Sequence, residues 1–321
     1  MIKKEPIRFI PYLKSVIWGG EKICRYKGIE QTQADIGESW EISAVPGHES
    51  VVAEGPYKGM KLTELIDCFG SELLGNAVMQ RYDGKFPLLV KLIDANDNLS
   101  VQVHPDDELA GKRHDSLGKT EMWYIIDADE DARIYSGLNR EMTADEYVRR
   151  VNDDTIEEVL AVHESHPGDV FFLPAGRVHA IGAGNLLAEI QESSDITYRI
   201  YDYGRKDVSG KARELHTELA KDAIDYTFHE DYKSASPEDS IADAVVAECD
   251  HFKVSRILLD NEMTLRFDDR SFVVLMCLEG GAALDYEGGS MPVKAGETLL
   301  LPAALACVTL RGKGTLLTAT A

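Results

Sequence analysis

The sequence predicts a mainly β protein whose short strands fold into barrel- or sandwich-like units, with α-helices inserted within and between them. Three observations carry that reading. Short apolar segments recur along the chain, each closed by a turn residue such as Gly or Pro. Apolar and polar residues alternate through LSVQVHPDD at 99–107, the period of a half-buried strand. One segment of the first half, with its turn, recurs near the C-terminus.

In chain order, residues 62–74 have helical apolar spacing, and FPLLVKLI at 86–93 reads as a strand. The strand at 99–104 is ended by Pro105, which cannot donate to a sheet ladder. Within it Val101 and Val103 face one side, while Gln102 and His104 project together from the other. EMWYIID (121–127) and DVFFLP (169–174) continue the strands. Between them, 143–164 reads as a helix opened by the capping-box pair Thr143 and Glu146. A further helix is expected over 213–226, followed by the polar linker HEDYKSASPEDS at 229–240. From about residue 244 the chain is β-like again, with SFVVLMCLEG (271–280) and ETLLLP (297–302). The division this suggests is a first domain over 1–235, a helical linker at about 212–240, and a second domain over 241–321.

The 321 residues suffice for two domains of ordinary size, and an apolar share of 44% supplies a sizeable core. A formal charge of −22 argues against nucleic acid or an anionic membrane as partner, since both select basic surfaces. The N-terminal residues lack the uninterrupted apolar core of a signal peptide, and no apolar run approaches membrane-spanning length. The five cysteines, Cys24, Cys68, Cys249, Cys277 and Cys307, are odd in number and scattered, so a disulfide framework is not expected and a cytoplasmic setting is.

The repeat aligns 168–179, GDVFFLPAGRVH, with 296–307, GETLLLPAALAC. The first copy, G-x5-P-x-G-x2-H, resembles a conserved motif of the cupin superfamily, small jelly-roll β-barrels that often hold a metal inside. The asparagine expected four residues past His179 is absent. In the second copy Cys307 and Ala304 replace the histidine and the turn glycine, so that copy is expected to lack metal. A barrel interior suits metal because inward side chains from several strands converge on one point. Gln102 and His104 share a strand face, and Lys119, Glu121 and Trp123 share another by parity. With His179, this gives an amide oxygen, two imidazoles and a carboxylate, a possible ligand set for Zn²⁺.

The chain as a whole resembles the type I mannose-6-phosphate isomerases, in their short bacterial form. The stretches that carry the resemblance are IWGG (17–20), GESWEIS (37–43), FPLLVKLIDA (86–95), LSVQVHPDD (99–107), GKTEMWYI (118–125), HPGDVFFLPAGRVHAI (166–181) and EIQESSDITYRIYDYGR (189–205). The resemblance implies two cupin-like barrels, the first catalytic and metal-binding, the second degenerate. It implies one Zn²⁺ per chain held by Gln102, His104, Glu121 and His179, a catalytic Arg199, and a phosphosugar substrate. Lys119, Lys91 and Glu189 match positions that line the family's substrate pocket, with Glu189 and Lys119 among the groups that could move the proton. Lysine and arginine there would supply cations for a phosphorylated sugar in an otherwise acidic chain. Two readings compete: a non-haem iron cupin dioxygenase, because two histidines and a glutamate also make a facial triad, and a sugar-binding or regulatory cupin without catalysis. His163 and His166 are expected at the surface, and Trp18 and Trp40 in the core.

Overall fold

The computed structural model describes residues 1–206, 210–238 and 240–321. Three antiparallel sheets dominate it. The first has six strands, in the order Val170–Leu173, Glu121–Ala128, Asn185–Glu192, Leu88–Ala95, Ile36–Ile42 and Tyr12–Gly20. The second has five, in the order Tyr198–Tyr201, Val101–Val103, His179–Ile181, Arg133–Leu138 and Leu160–Glu164. The third has eight and comprises the C-terminal strands from Asp243–Glu248 to Cys307–Thr320, joined by Ile7–Ile10 and Val51–Val52. The jelly-roll units are therefore facing sheets whose hydrogen bonding does not run continuously around a barrel.

The six-stranded sheet is buried on both faces, which is why FPLLVKLI is almost uninterruptedly apolar. Val90, Leu92, Met122, Tyr124, Ala188 and Ile190 pack toward the C-terminal sheet, against Phe272, Val274, Met276 and Leu317. The alternate residues Ile93, Trp123, Ile125 and Leu187 meet Ile134 and Ile181 of the five-stranded sheet, and Leu99 just before its strand Val101–Val103. Lys91, Glu121 and Glu189 have the same parity as this second set, so they point into the space between the two sheets. The outer face of the five-stranded sheet is covered by Tyr147 and Val151 of the helix Ala144–Asn152 and by Ala220 of the helix Thr217–Ala223.

Several expectations are corrected. The helix expected over 62–74 is broken at Gly70, φ 47°, into Leu62–Phe69 and Ser71–Leu74. The helix expected over 143–164 does begin at Thr143, whose hydroxyl accepts from Glu146 N at 3.2 Å, but it stops at Asn152. Asp154 adopts a left-handed φ of 53°, and after a short 3₁₀ turn the chain forms the strand Leu160–Glu164. The helix expected over 213–226 is only Thr217–Ala223, because 216 is held beside the strand: His216 N donates to Arg199 O and Arg199 N to His216 Nδ1. The linker is not free of the first unit. Tyr232 is buried against Gly137, and Ser234 pairs with Val170; position 239 lies outside the described residues. The N-terminal strand Ile7–Ile10 leaves the first unit and pairs with Thr298–Leu301. Among the described residues no helix is long and apolar enough to cross a membrane.

The repeat is visible in space, and its two copies end differently. Val170–Leu173 and Thr298–Leu301 are both strands closed by proline. In the first copy Gly176 takes φ 89° and donates its N–H to His104 O at 2.9 Å, a backbone approach that glycine permits. His179 then opens a strand with its side chain buried, whereas Cys307 opens the strand Cys307–Thr320 exposed to solvent. Cys307→Ser should accordingly leave bound metal unchanged and stability within about 0.5 kcal/mol, as exposed substitutions do. Metal analysis and thermal unfolding check this, and loss of metal in proportion to the substitution would place the ion in the C-terminal unit.

Candidate active site

Between the six- and five-stranded sheets, one rung of backbone pairing aligns Arg199, Gln102 and His179 side by side, since Gln102 lies opposite both. Across the gap, another rung aligns Trp40, Lys91, Glu189 and Trp123. Glu121 opens its strand one step away, opposite Gln191. His104 and Lys119 are not on strands; both sit in the loops that flank them.

These elements bring Gln102, His104, Lys119, Glu121 and His179 to one point. His104 Nδ1 lies 2.8 Å from Ile196 O and His179 Nδ1 2.8 Å from Arg177 O. A carbonyl can only accept, so both imidazoles carry their proton on Nδ1 and turn a bare Nε2 inward. His179 Nε2 is 3.3 Å from Glu121 Oε1 and His104 Nε2 is 3.6 Å from Oε2. Gln102 Nε2 donates to His179 Nε2 at 3.2 Å, and a half-turn of the amide exchanges that nitrogen for its oxygen. Lys119 Nζ stands 2.7 Å from Glu121 Oε2 and 3.0 Å from His104 Nε2.

The electrostatics of this point are those of a cation site. Glu121 is wholly buried, and among the described residues neither of its oxygens receives an aligned hydrogen bond, Lys119 being close but off the bonding direction. Burial, opposed by Lys119 and reinforced by Glu189, pushes its carboxyl up to about 7. Burial, with Lys119 beside it, lowers His179 to about 3 and takes His104 well below the ordinary imidazole range. Two neutral imidazoles and a donor-starved carboxylate, all with ligand atoms within 4.8 Å of one another, suit a divalent metal that takes N and O ligands. The imidazoles' outer hydrogen bonds to carbonyls are the orientation that metal-binding histidines use.

A cleft of about 410 Å³ opens over this point. Lys91, Lys119, Gln102, Glu189 and Arg199 line it, so the structure brings together every site residue the sequence singled out. Lys91 Nζ donates to Glu189 Oε1 at 2.9 Å and Gln191 Oε1 at 2.7 Å, and Trp123 Nε1 donates to Glu189 Oε2 at 2.8 Å. Burial opposes the charge on Glu189, but Lys91 and Lys119 outweigh it and hold the carboxyl down at about 2. Arg199 is half-buried at the rim. Its Nη1 donates to Glu214 O at 2.9 Å, while its buried Nε has no partner among the described residues. Burial and the neighbouring Arg213 lower its pKa.

Lys14, Glu38 and Arg213 also line the cleft without standing out in the sequence. Glu38 accepts from Lys14 at 3.1 Å and from Trp40 Nε1 at 2.7 Å, and the Trp40 ring lies 5.4 Å from Lys91 Nζ. The signal for Glu38 was its shared strand face with Trp40 in GESWEIS; for Arg213, aligned on Asp202 through Nε at 2.8 Å, there was none. Trp18 and Trp40 are buried, and Trp18 also lines the cleft wall. His166 is exposed as expected. His163 is not at the surface; it is half-buried against Phe171 and Tyr232 because the segment is a strand rather than a helix.

Comparison with known proteins gives the same direction. The family model for the phosphomannose isomerase type I catalytic domain matches residues 7–130, and that for the mannose-6-phosphate isomerase cupin domain matches 242–320. Mannose-6-phosphate isomerase ManA of Bacillus subtilis is 37% identical over 96% of both chains. Mannose-6-phosphate isomerase of Streptococcus mutans is 41% identical over 68% of both. The crystal structure of the mannose 6-phosphate isomerase from Bacillus subtilis superposes with a TM-score of 0.88 at 36% identity, covering 98% of this chain and 99% of that one.

A metal site of this kind has a thermodynamic signature. Adding Zn²⁺ to metal-free protein at 100 times its dissociation constant should stabilise it by about 2.7 kcal/mol, roughly 5 °C in melting temperature. Glu121→Gln removes the buried charge without changing its shape, so the variant should lose the zinc-induced shift, and its metal-free form, with the Lys119 ammonium left buried beside no carboxylate, should be less stable than its parent. Differential scanning calorimetry reads both; an unchanged shift in the variant would remove Glu121 from the ligand set.

Proposed function

The chain belongs to the type I phosphomannose isomerase family, and from that premise we propose that it interconverts mannose 6-phosphate and fructose 6-phosphate with one Zn²⁺ held by Gln102, His104, Glu121 and His179. The observation that carries this is the carboxylate of Glu121, buried without an aligned hydrogen bond among the described residues between two inward-facing Nε2 atoms, beneath a cleft with Lys14, Lys91, Lys119, Arg199 and Arg213 on its walls. Those cations give a phosphorylated sugar a local welcome in a chain of charge −22. In the reaction a proton leaves C2 and one is returned to C1, while the hydroxyl proton moves from O2 to O1, through an enediolate; nothing is oxidised or reduced overall. Bound zinc would supply Lewis-acid stabilisation for negative charge on those oxygens.

The chain's own residues then divide the work. Lys119, beside the ligand set and open to the cleft, is in place to hold or pass a proton at a substrate oxygen. Glu189 is a poor base, because a carboxyl held at about 2 binds a proton weakly at working pH. Its task in this reading is to fix the Lys91 ammonium over the cleft. Arg199, always charged and with one N–H unsatisfied, faces oxygens on which charge develops. In the same reading residues 1–235 carry the chemistry and 241–321 form a metal-free copy. The setting is cytoplasmic, in keeping with five free cysteines.

The assay is conversion of mannose 6-phosphate to fructose 6-phosphate by the purified protein, and its absence would sink the reading. Arg199→Met sharpens it. The variant should stay folded and keep its zinc, while kcat falls by roughly 10²–10³, the usual loss for one preorganised donor to a developing oxyanion. A rise in KM with kcat changed less than about tenfold would instead make Arg199 a binding residue, contacting ground and transition states equally.

A further inference from the structure

Residues 118–120 lead into Glu121 and carry Lys119, yet they belong to no strand. Each of their backbone N–H groups is held by a different partner. Gly118 N donates to Asp107 Oδ1 at 2.7 Å, Lys119 N to Pro105 O at 3.0 Å, and Thr120 N to Glu192 Oε1 at 2.7 Å. Glu192 N returns a bond to Thr120 O at 3.1 Å. Two of the three anchors are therefore side-chain carboxylates, which can swing unless something fixes them.

That fixing group comes from the C-terminal half of the chain. His251 Nδ1 lies 3.0 Å from Glu192 Oε2, at ion-pair distance though off the ideal bonding direction, and no aligned donor among the described residues reaches that oxygen. His251, Glu192 and Asp107 present ligand atoms within 4.8 Å of one another, so the imidazole stands close to both carboxylates. The turn that carries it is itself anchored: His251 N meets Cys249 Sγ, Cys249 N donates to Phe252 O, and the buried Phe252 ring packs on Phe172 of the six-stranded sheet. Each carboxylate already commits one oxygen to a backbone N–H, so the cluster is arranged as a brace rather than an open ligand set.

We propose that His251 is a positioning residue: through Glu192 and Asp107 it sets the 118–120 segment and thereby places Lys119 and Glu121 for the reaction. The inference rests on the roles given above to those two residues. It also assigns the degenerate copy a task, since the C-terminal unit supplies the brace. Misplacement of catalytic groups by about 1 Å can cost 10²-fold in rate, so loss of the brace reads out in turnover.

The test uses the full-length zinc-loaded protein and the variants His251→Ala and His251→Lys. In the alanine variant kcat should fall at least about tenfold with KM within about twofold, and zinc affinity, measured by competition with a chromophoric chelator, should weaken. The lysine variant, which restores a cation and a donor, should recover most of both. Should the alanine variant fail to fold, His251→Gln carries the same comparison. The proposal is overturned by kcat within about twofold of the parent whatever the melting temperature, by a change in KM alone, or by a lysine variant no better than the alanine one. An inactive parent would count against the isomerase reading, and the zinc-affinity arm would still decide the brace.

Discussion

A fully buried carboxylate, answered among the described residues by one lysine and no aligned hydrogen bond, is the constraint around which the first half of this protein is arranged. Glu121 is fully enclosed, and placing an unpaired charge there is unfavourable unless a cation answers it. Lys119 answers it in part, at 2.7 Å. The rest of the arrangement suits a bound cation, because His104 and His179 spend their Nδ1 protons on carbonyls behind them and keep their lone pairs for the centre. Burial, with the Lys119 ammonium close by, lowers the basicity of both imidazoles, which keeps them neutral and available as ligands.

The sheets explain how so polar a point survives in the middle of a core. A strand buried on both faces sends alternate residues to different environments. In Leu88–Ala95, Val90 and Leu92 join the apolar layer against the C-terminal sheet, while Lys91 points the other way, onto Glu189. The neighbouring strands repeat the division, with Met122 and Tyr124 on one side and Glu121 and Trp123 on the other. Facing sheets then bring carboxylate, lysine and tryptophan from one of them against glutamine, histidine and arginine from the other. The C-terminal unit closes the far side of the six-stranded sheet and reaches round with His251.

Much of the centre was legible because strand parity is a strong local signal. With Val101 and Val103 in the core, Gln102 and His104 share the opposite face, and the turn pattern before His179 marks a second strand entering the interior. Legibility failed where tertiary contacts decide the backbone. Residues 155–164 have enough acidic and aliphatic residues to look helical, but Asp154 turns the chain and Leu160 pairs with Leu138 in a sheet. The N-terminal strand joins the C-terminal sheet through Ile7 and Leu300, a pairing across nearly the whole chain that no local pattern announces. Lys119 was placed by parity with Glu121, whereas its position comes from loop anchors at Asp107, Pro105 and Glu192. Arg213 depends on Asp202, eleven residues upstream with no periodic relation to it.

The central claim is that one zinc at the Glu121 centre enables aldose–ketose isomerisation, and a stoichiometric titration tests it most directly. Metal-stripped protein is given Zn²⁺ in substoichiometric steps while conversion of mannose 6-phosphate is followed. The account predicts negligible turnover at the start and a linear rise that breaks at one zinc per chain. Full turnover before any zinc is added, or a break at two, would contradict it.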